Sequence, residues 1–246
     1  MIEGEILSII FLYLLKMSKL QKSIFIVVLV LLVDQILKIW IKTNMTLGQE
    51  FPIIGNWFII HFVENNGMAF GFEFGGEYGK IFLSLFRVIA VFGIGWYILK
   101  LIKKGLPMGF IACVSLIFAG AIGNIIDSAF YGIIFNDSYG EVSTLFPAGG
   151  GYASFLHGRV VDMFYFPLFS GVYPDWVPFA GGSDFQFFRP VFNVADSSIS
   201  IGIFSIIIFY RKLFNNLDKK DNLETTPEQN SEEASQIVPE NESPNI

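Results

Sequence analysis

Four long apolar runs constrain the fold of this chain more than any other feature of its sequence. They predict helices at residues 24–42, 80–100, 107–127 and 193–212. Each run is close to the roughly 17–25 residues that a helix needs to cross about 30 Å of hydrocarbon. The chain of 246 residues is 53% hydrophobic and 15% charged, whereas soluble domains carry about 25% charged residues. The sequence therefore predicts an α-helical polytopic membrane protein with four transmembrane helices.

The two ends of the chain differ from this membrane region. The apolar stretch within residues 1–16 is too short to span a membrane, so we interpret it as a non-native or interfacial extension that precedes Met17. Residues 17–214 form the predicted four-helix domain. Residues 215–246 carry eight acidic residues and two lysines, which account for the net charge of −6. That composition predicts a disordered acidic tail on the cytoplasmic side.

Basic residues indicate the orientation of the helices. Ten of the sixteen lysines and arginines flank the predicted helices in three segments: Lys16, Lys19, Lys22, Lys100, Lys103, Lys104, Arg211, Lys212, Lys219 and Lys220. Because cytoplasmic loops are enriched in lysine and arginine, we expect both termini to be cytoplasmic and the connections at 43–79 and 128–188 to face outward. These connections are rich in glycine and aromatic residues, and residues 51–62 predict two strands with a turn at Gly55. A small β-rich region is expected on the outer face.

Polar side chains interrupt three of the apolar runs. The predicted topology places them at one depth near the outer face: Asp34 and Lys38 in the first helix, Asn124 and Asp127 in the third, and Asn193 and Asp196 in the fourth. Charged groups inside membrane helices are costly, so each is a functional hypothesis. The same residues have structural alternatives: an ion pair of Asp34 with Lys38, a helix cap of Asn193 and Asp196, and a close-packing stripe of Gly120, Gly123 and Asn124.

Carboxylates are the one catalytic group that this sequence supplies in a suitable pattern. The histidines His61 and His157 lie in the outer segments, Cys113 is a single cysteine, and the H-E-x-x-H and G-x-S-x-G motifs are absent. We therefore expect no metal and no cofactor, and the membrane-flanking basic residues do not indicate nucleic acid. Two neighbouring carboxyl groups can hold one proton between them and activate a water molecule. The candidates are Asp162, Asp196 and Asp127.

Five segments resemble the motifs of the lipoprotein signal peptidase (signal peptidase II) family. They are Asp34-Gln35-Ile36-Leu37-Lys38, Glu64-Asn65-Asn66-Gly67-Met68-Ala69-Phe70, Gly120-Ala121-Ile122-Gly123-Asn124-Ile125-Ile126-Asp127, Val160-Val161-Asp162 and Phe192-Asn193-Val194-Ala195-Asp196. The resemblance implies a membrane aspartyl peptidase in which Asp162 and Asp196 are catalytic. It implies supporting or substrate-binding roles for Asp34, Lys38, Asn65, Gly67, Asn124, Asp127 and Asn193.

The resemblance also implies a substrate and a location. The enzyme would remove signal peptides from prolipoproteins that carry diacylglycerol, and it would cut just before the lipidated cysteine. It would act as a monomer in the cell inner membrane, with lipid tails between its helices and its active site near the outer face.

Two departures from the family pattern lead to hypotheses of their own. The family usually has arginine after the G-N-x-x-D motif, where this chain has Ser128, so we expect Arg87 or Arg159 to supply the cation. Residues 132–155 resemble an insertion, and the glycines at 149–151 suggest a mobile lid. The alternatives to a peptidase are a small transporter, with the same carboxylates relaying protons or cations, and a non-catalytic membrane scaffold.

Overall fold

The computed structural model describes residues 16–66, 76–187 and 190–213. Its elements, in chain order, are α1 (Lys19–Asn44), β1 (Glu50–Ile54), β2 (Phe58–Asn65), α2 (Gly76–Lys103), α3 (Met108–Ile126), a π-helical turn (Asp127–Tyr131), α4 (Gly132–Ile134), β3 (Val160–Tyr165), β4 (Phe169–Val172), β5 (Asp184–Phe187), β6 (Val191–Phe192) and α5 (Val194–Phe209). The chain divides into two units, Met1–Phe204 and Ser205–Ile246, and the site belongs to the first. Gly67, residues 1–15 and the predicted tail at 215–246 lie outside the described residues.

α1 begins at Lys19, earlier than the predicted residue 24, because Ser18 caps it. The Ser18 hydroxyl accepts a hydrogen bond from the backbone N–H of Gln21, and the Gln21 side chain accepts one from the Ser18 N–H. This reciprocal pair is a capping box, which satisfies N–H groups at the helix start. The apolar run alone could not locate this start, since the cap is polar.

The polar and apolar side chains of α1 are distributed as in a helix that lies in lipid rather than in water. Its buried residues are mostly polar or charged: Ser23, Asp34, Lys38, Ile41 and Lys42. Its apolar side chains are largely exposed, with Ile36 at 63% exposure. A helix on the surface of a soluble protein turns its apolar stripe toward the core. The reversed arrangement indicates that the apolar side of α1 faces hydrocarbon and that the protein interior holds its polar groups.

Within the part of the chain that the structure describes, three helices are long and apolar enough to cross a membrane. They are α1, residues Leu85–Lys103 of α2, and the continuous stretch Met108–Ile134 that joins α3, the π-helical turn and α4. α5 is also apolar but has only 16 residues, which corresponds to about 24 Å at 1.5 Å per residue. α5 ends at Phe209, before the predicted residue 212. These helices identify the chain as a polytopic membrane protein.

Glycines allow α3 to approach its neighbours closely, as the predicted packing stripe requires. A Cβ atom on Gly120 would lie 2.2 Å from the Ala195 carbonyl oxygen, and one on Gly123 would lie 2.8 Å from Asp34 Oδ2. On α5, a Cβ atom on Gly202 would lie 2.6 Å from the Cys113 carbonyl oxygen. Small residues let membrane helices pack backbone against backbone. This packing brings the polar residues of α1, α3 and α5 together.

A four-stranded antiparallel sheet in the order β1-β2-β3-β6 carries the rest of the site. The predicted turn at Gly55 joins β1 to β2, and Gly55 has a φ of 52°, which glycine adopts without steric cost. In the β2–β3 pair, the register shifts between Ile60 and Val63. Such a bulge turns the following residues of a strand. Beyond it, Asn65 pairs with Val160 in the register of the two strands.

The segment at residues 132–155, predicted as an insertion with a mobile lid, is fastened to its surroundings. The Ser143 N–H donates to the Lys42 carbonyl at 3.1 Å, and the Ala153 N–H donates to the Gly132 carbonyl at 2.8 Å. Gly151 packs so tightly that a Cβ atom there would lie 2.1 Å from the Gly132 carbonyl oxygen. These contacts tie the segment to α1 and hold its far end against its own beginning in α4. The structure therefore does not support the lid hypothesis.

Candidate active site

Asp162 lies on β3 with both carboxylate oxygens occupied by amide donors. Asn193 Nδ2 donates to Oδ1 at 2.7 Å, and Asn65 Nδ2 donates to Oδ2 at 3.3 Å. Asp162 is 3% exposed. Asn65 ends β2 and Asn193 precedes α5, so residues of two other elements hold this one side chain of β3. The orientation of the Asp162 carboxyl group is thereby defined by its neighbours.

Asp196 lies in the first turn of α5, where Asn193 caps the helix. The Asp196 N–H donates to Asn193 Oδ1 at 2.9 Å, and the Asn193 N–H lies 3.4 Å from Asp196 Oδ2. The capping alternative raised by the sequence is therefore correct. It does not exclude catalysis, because Asn193 Nδ2 points to Asp162 at the same time. A single cap residue thus links the two predicted catalytic aspartates.

Asn124 on α3 connects the aspartates to the charged residues of α1. Its Nδ2 donates to Asp196 Oδ1 at 2.8 Å, while its Oδ1 accepts from Lys38 Nζ at 3.1 Å and from Asn193 Nδ2 at 3.2 Å. The two ends of one amide therefore contact a carboxylate and a cation. Because Asn124 is buried, its hydrogen bonds replace those that water would make.

Lys38 is the central cation of a buried cluster behind the aspartates. Its Nζ lies 2.9 Å from Asp34 Oδ2 and 2.8 Å from Asp127 Oδ2, and all three side chains are almost completely buried. The predicted ion pair of Asp34 with Lys38 is thus part of a triad. Asp127 Oδ2 also accepts a hydrogen bond from the Val161 N–H at 3.2 Å. Asp127 therefore holds β3 at the residue before Asp162.

Asp34 also holds the helix that carries the second aspartate. Its Oδ1 accepts a hydrogen bond from the Ala195 N–H at 2.9 Å. This N–H belongs to the first turn of α5, where backbone donors lack partners within the helix. The triad therefore anchors both Asp162, through β3, and Asp196, through α5. All the predicted site residues that the structure describes lie in this connected network.

The electrostatic environment of Asp162 favours the protonated form of this carboxyl group. Burial raises the pKa of Asp162 to about 7, and the nearby Asp196 carboxylate contributes to the rise, while hydrogen bonds from Asn65 and Asn193 oppose it. Near neutral pH, Asp162 can therefore donate a proton.

The two arginines predicted to replace the missing cation differ in position. Arg159 Nη1 binds Glu64 Oε2 at 2.9 Å, and that carboxylate belongs to a separate cluster. Arg87 on α2 interacts electrostatically with Asp196, Asp162 and Asp127. Ser128 itself is buried, and its hydroxyl donates to the Asn124 carbonyl at 3.0 Å. Arg87 is therefore the candidate that the structure favours.

Two site residues had no predicted role from the sequence. Gln35 Nε2 donates to Asp127 Oδ1 at 2.9 Å and lies 3.1 Å from Asp34 Oδ2, so Gln35 bridges two carboxylates. The Tyr131 hydroxyl donates to Gln35 Oε1 at 3.1 Å. Gln35 belongs to the motif Asp34-Gln35-Ile36-Leu37-Lys38, but the sequence alone assigned no role to it. Tyr131 had none, because the π-helical turn that carries it was predicted as a loop.

These features define a class of protein. Helices that can cross a membrane surround a buried network of carboxylates and amides, so the chain is a polytopic membrane protein with a carboxylate site. Among the described residues, no group of histidine, cysteine, aspartate or glutamate could hold a metal ion. A solved structure described as a bacterial membrane enzyme, determined by the in meso method at 2.3 Å resolution, has a similar fold. Its TM-score is 0.53 at 28% identity, covering 80% of this chain and 91% of that chain.

The family follows from sequence comparison. Residues 26–212 match the family model of signal peptidase (SPase) II, and the chain therefore belongs to this family. A lipoprotein signal peptidase of Porphyromonas gingivalis is 53% identical over 209 residues, which cover 85% of this chain and 90% of that protein. Relatives with the same name in Amoebophilus asiaticus and Staphylococcus aureus are 40% and 30% identical over 199 residues, which cover 78% and 81% of this chain and 78% and 93% of theirs. The chain is a peptidase, and these matches give the transporter alternative no support.

Proposed function

We propose that this chain is an aspartic-type signal peptidase that removes signal peptides from diacylglyceryl prolipoproteins. Asp162 and Asp196 are its catalytic pair. The observation that carries the proposal is Asn193, whose side chain donates to Asp162 Oδ1 at 2.7 Å and accepts from the Asp196 N–H at 2.9 Å. A shared cap residue keeps the two carboxyl groups close to each other.

The reaction follows from the different states of the two carboxyl groups. Asp196 acts as the general base and takes a proton from a water molecule, whose oxygen attacks the carbonyl carbon of the scissile bond. Asp162, which holds a proton near neutral pH because its pKa is about 7, donates it to the carbonyl oxygen. The resulting gem-diol collapses when Asp196 gives its proton to the leaving nitrogen, Asp162 takes a proton from one hydroxyl group, and the C–N bond breaks, which restores both carboxyl groups. No metal and no covalent intermediate is needed for these steps.

The seven supporting residues take two kinds of role. Asp34, Lys38 and Asp127 orient α5 and β3 through the buried triad. Asn65, Gly67, Asn124 and Asn193 orient the aspartates or contact the peptide. Within this set, Gly67 rests on its place in the motif alone.

The membrane arrangement is also part of the proposal. Residues 17–214 form a four-span domain with both termini in the cytoplasm of a cell with an inner membrane, and the site lies near the outer face. Support comes from the position of the site residues at the C-terminal parts of α1 and α3 and at the start of α5. Exposed apolar side chains on α1, such as Ile36, face lipid tails. The enzyme acts as a monomer.

A cleavage assay on matched substrates tests the substrate class. Purified protein in detergent is mixed with a prolipoprotein whose lipobox cysteine carries diacylglycerol, and with the same precursor without the lipid. We expect cleavage of the lipidated precursor, and mass spectrometry should show a product that begins at the lipidated cysteine. Equal cleavage of both precursors, or a cut at another bond, would contradict the proposed substrate class.

A further inference from the structure

A second buried ionic cluster lies beside the active site. The Glu64 cluster consists of Lys42 on α1, Glu64 on β2, Ser138 in the segment after α4, and Arg159 just before β3. Lys42 Nζ and Arg159 Nη1 both bind the Glu64 carboxylate, the latter at 2.9 Å. Ser138 Oγ accepts from Lys42 Nζ at 2.9 Å and donates to Glu64 Oε1 at 3.1 Å. Four segments of the chain therefore meet at one carboxylate.

The burial of this cluster requires an explanation. The Lys42 side chain is fully buried, and the Glu64 side chain is 1% exposed. Lys42 Nζ lies 5.2 Å and 5.1 Å from the ring centres of Phe135 and Tyr152. A buried ion pair is often no more stabilising than apolar residues of the same volume. The pair takes no part in the proposed reaction. Neither a gain in stability nor a catalytic role therefore explains why Lys42 and Glu64 are buried.

Strand geometry connects the Glu64 cluster to the aspartates. Successive side chains of a strand point to opposite faces of the sheet, so Glu64 and Asn65 face opposite ways. Glu64 faces the apolar core that contains Phe62 and Phe135, and Asn65 faces Asp162. Anchoring Glu64 on one face therefore determines where the Asn65 amide lies on the other.

The partner strand is anchored in the same way. Glu64 pairs with Val161 and Asn65 with Val160 in the register of β2 and β3. Arg159 precedes this paired stretch, and its guanidinium binds Glu64 across the strands. The ion pair thus opposes sliding of β3 along β2. A slip of one residue would move Asp162 to the opposite face of the sheet.

We propose that Glu64 is a positioning residue, which holds β2 and β3 in the register that brings Asn65 onto Asp162. Lys42 and Arg159 hold the Glu64 carboxylate from α1 and from β3. Ser138 completes the site, so the segment at residues 132–155 contributes hydrogen bonds to both Lys42 and Glu64. This inference rests on the proposed function, because Asp162 must be catalytic for its position to affect turnover.

A double-mutant cycle tests whether Glu64 acts through Asn65. The changes are Glu64→Gln and Asn65→Ala, singly and together. We expect Glu64→Gln to lower kcat about 10- to 100-fold with KM changed less than about twofold, since a small misplacement of a catalytic group affects turnover. In the Asn65→Ala background, the same change should lower kcat by less than about threefold. Equal falls in both backgrounds would overturn the proposal, as would an unchanged kcat.

A second variant and a second measurement separate positioning from unfolding. Lys42→Met combined with Glu64→Gln removes both charges, so no buried cation is left unpaired, and it should reproduce the fall in kcat. Amide hydrogen exchange of residues 158–165 should become faster in both Glu64 variants. This measurement needs no substrate. Unchanged exchange at Val161 would overturn the proposal even if the wild type cleaves nothing, in which case the proposed function fails separately.

Asp137→Asn is the matched control. Asp137 Oδ1 accepts from the same Arg159 Nη1 at 3.3 Å, but its side chain is 46% exposed. Solvent screens this pair, and Asp137 does not contact Glu64 in the described hydrogen bonds. We expect kcat within twofold of the wild type and unchanged exchange at Val161. A fall in kcat equal to that of Glu64→Gln would show that the loss of either carboxylate partner of Arg159 lowers turnover, which would contradict the specific role of Glu64.

Discussion

Replacement of Lys38 by methionine removes the only cation of the buried triad. Methionine keeps most of the side-chain volume and lacks the charge. The change leaves Asp34 and Asp127 buried without the ammonium group that lies 2.9 Å and 2.8 Å from their oxygens. It also removes the donor to Asn124 Oδ1 at 3.1 Å. Neutral donors remain at both carboxylates, including the Ala195 N–H at 2.9 Å.

The magnitude follows from the burial of all three side chains. Removal of one partner from a buried ion pair costs about 3–5 kcal/mol, because the remaining charge is left uncompensated. For a chain of this size, each kcal/mol lowers Tm by about 2–4 °C. We therefore expect Tm of Lys38→Met to fall by about 6–20 °C. Activity should fall as well, since Asp34 anchors α5 and Asp127 anchors β3.

Thermal unfolding of the purified protein in detergent is the assay, followed by the fluorescence of its tryptophans. Lys103→Met is the matched control, because Lys103 is exposed at the end of α2, and its Tm should stay within about 2 °C. The double variant Lys38→Met, Asp34→Asn removes one of the two stranded charges and should be more stable than Lys38→Met alone. A Tm of Lys38→Met equal to that of the control would refute the reasoning, and so would a double variant less stable than the single one.

Three further predictions concern packing, pH and metal. Gly120→Ala should lower Tm by several degrees, because its Cβ atom would lie 2.2 Å from the Ala195 carbonyl oxygen. Gly149→Ala should leave Tm unchanged, because a Cβ atom there would meet nothing within 4 Å. Equal Tm values for the two variants would contradict the described helix contact. Activity should decline as pH rises through about 7, because Asp162, whose pKa is about 7, then loses the proton that it donates; a pH–rate profile that rises steadily above pH 8 would contradict this role. Prolonged treatment with a chelator should leave cleavage unchanged, and a loss that added zinc restores would indicate a metal requirement.

The sequence predicted the membrane class and much of the site for physical reasons. Apolar runs of membrane length are visible without a structure, because hydrocarbon admits few polar residues. For the same reason Asp34, Lys38 and Asn124 stood out within them. The turn at Gly55 was also predicted correctly, since its glycine lies between two β-prone runs.

The connections between distant residues could not be predicted. Asp34 bonds to the Ala195 N–H across the fold, and no local pattern indicates such a contact. The π-helical turn at Asp127–Tyr131 continues the helix beyond residue 127, where the sequence predicted that a loop begins. The predicted position of Tyr131 in that loop was therefore wrong. The Glu64 cluster was overlooked because Lys42 resembles an ordinary residue at the end of a membrane helix. Only the folded chain shows that Lys42 is completely buried.

Cleavage by the two aspartate variants tests the central claim most directly. Asp162→Asn and Asp196→Asn replace each carboxyl group by an amide of nearly equal size, and the Tm of each variant shows whether it folds. The substrate is diacylglyceryl prolipoprotein, and each folded variant is assayed at the wild-type concentration. We predict a rate of product formation below about one thousandth of the wild-type rate, because removing one residue of a catalytic pair that acts together removes most of the rate acceleration. Turnover within tenfold of the wild type by either folded variant would contradict the assignment of Asp162 and Asp196 as the catalytic pair.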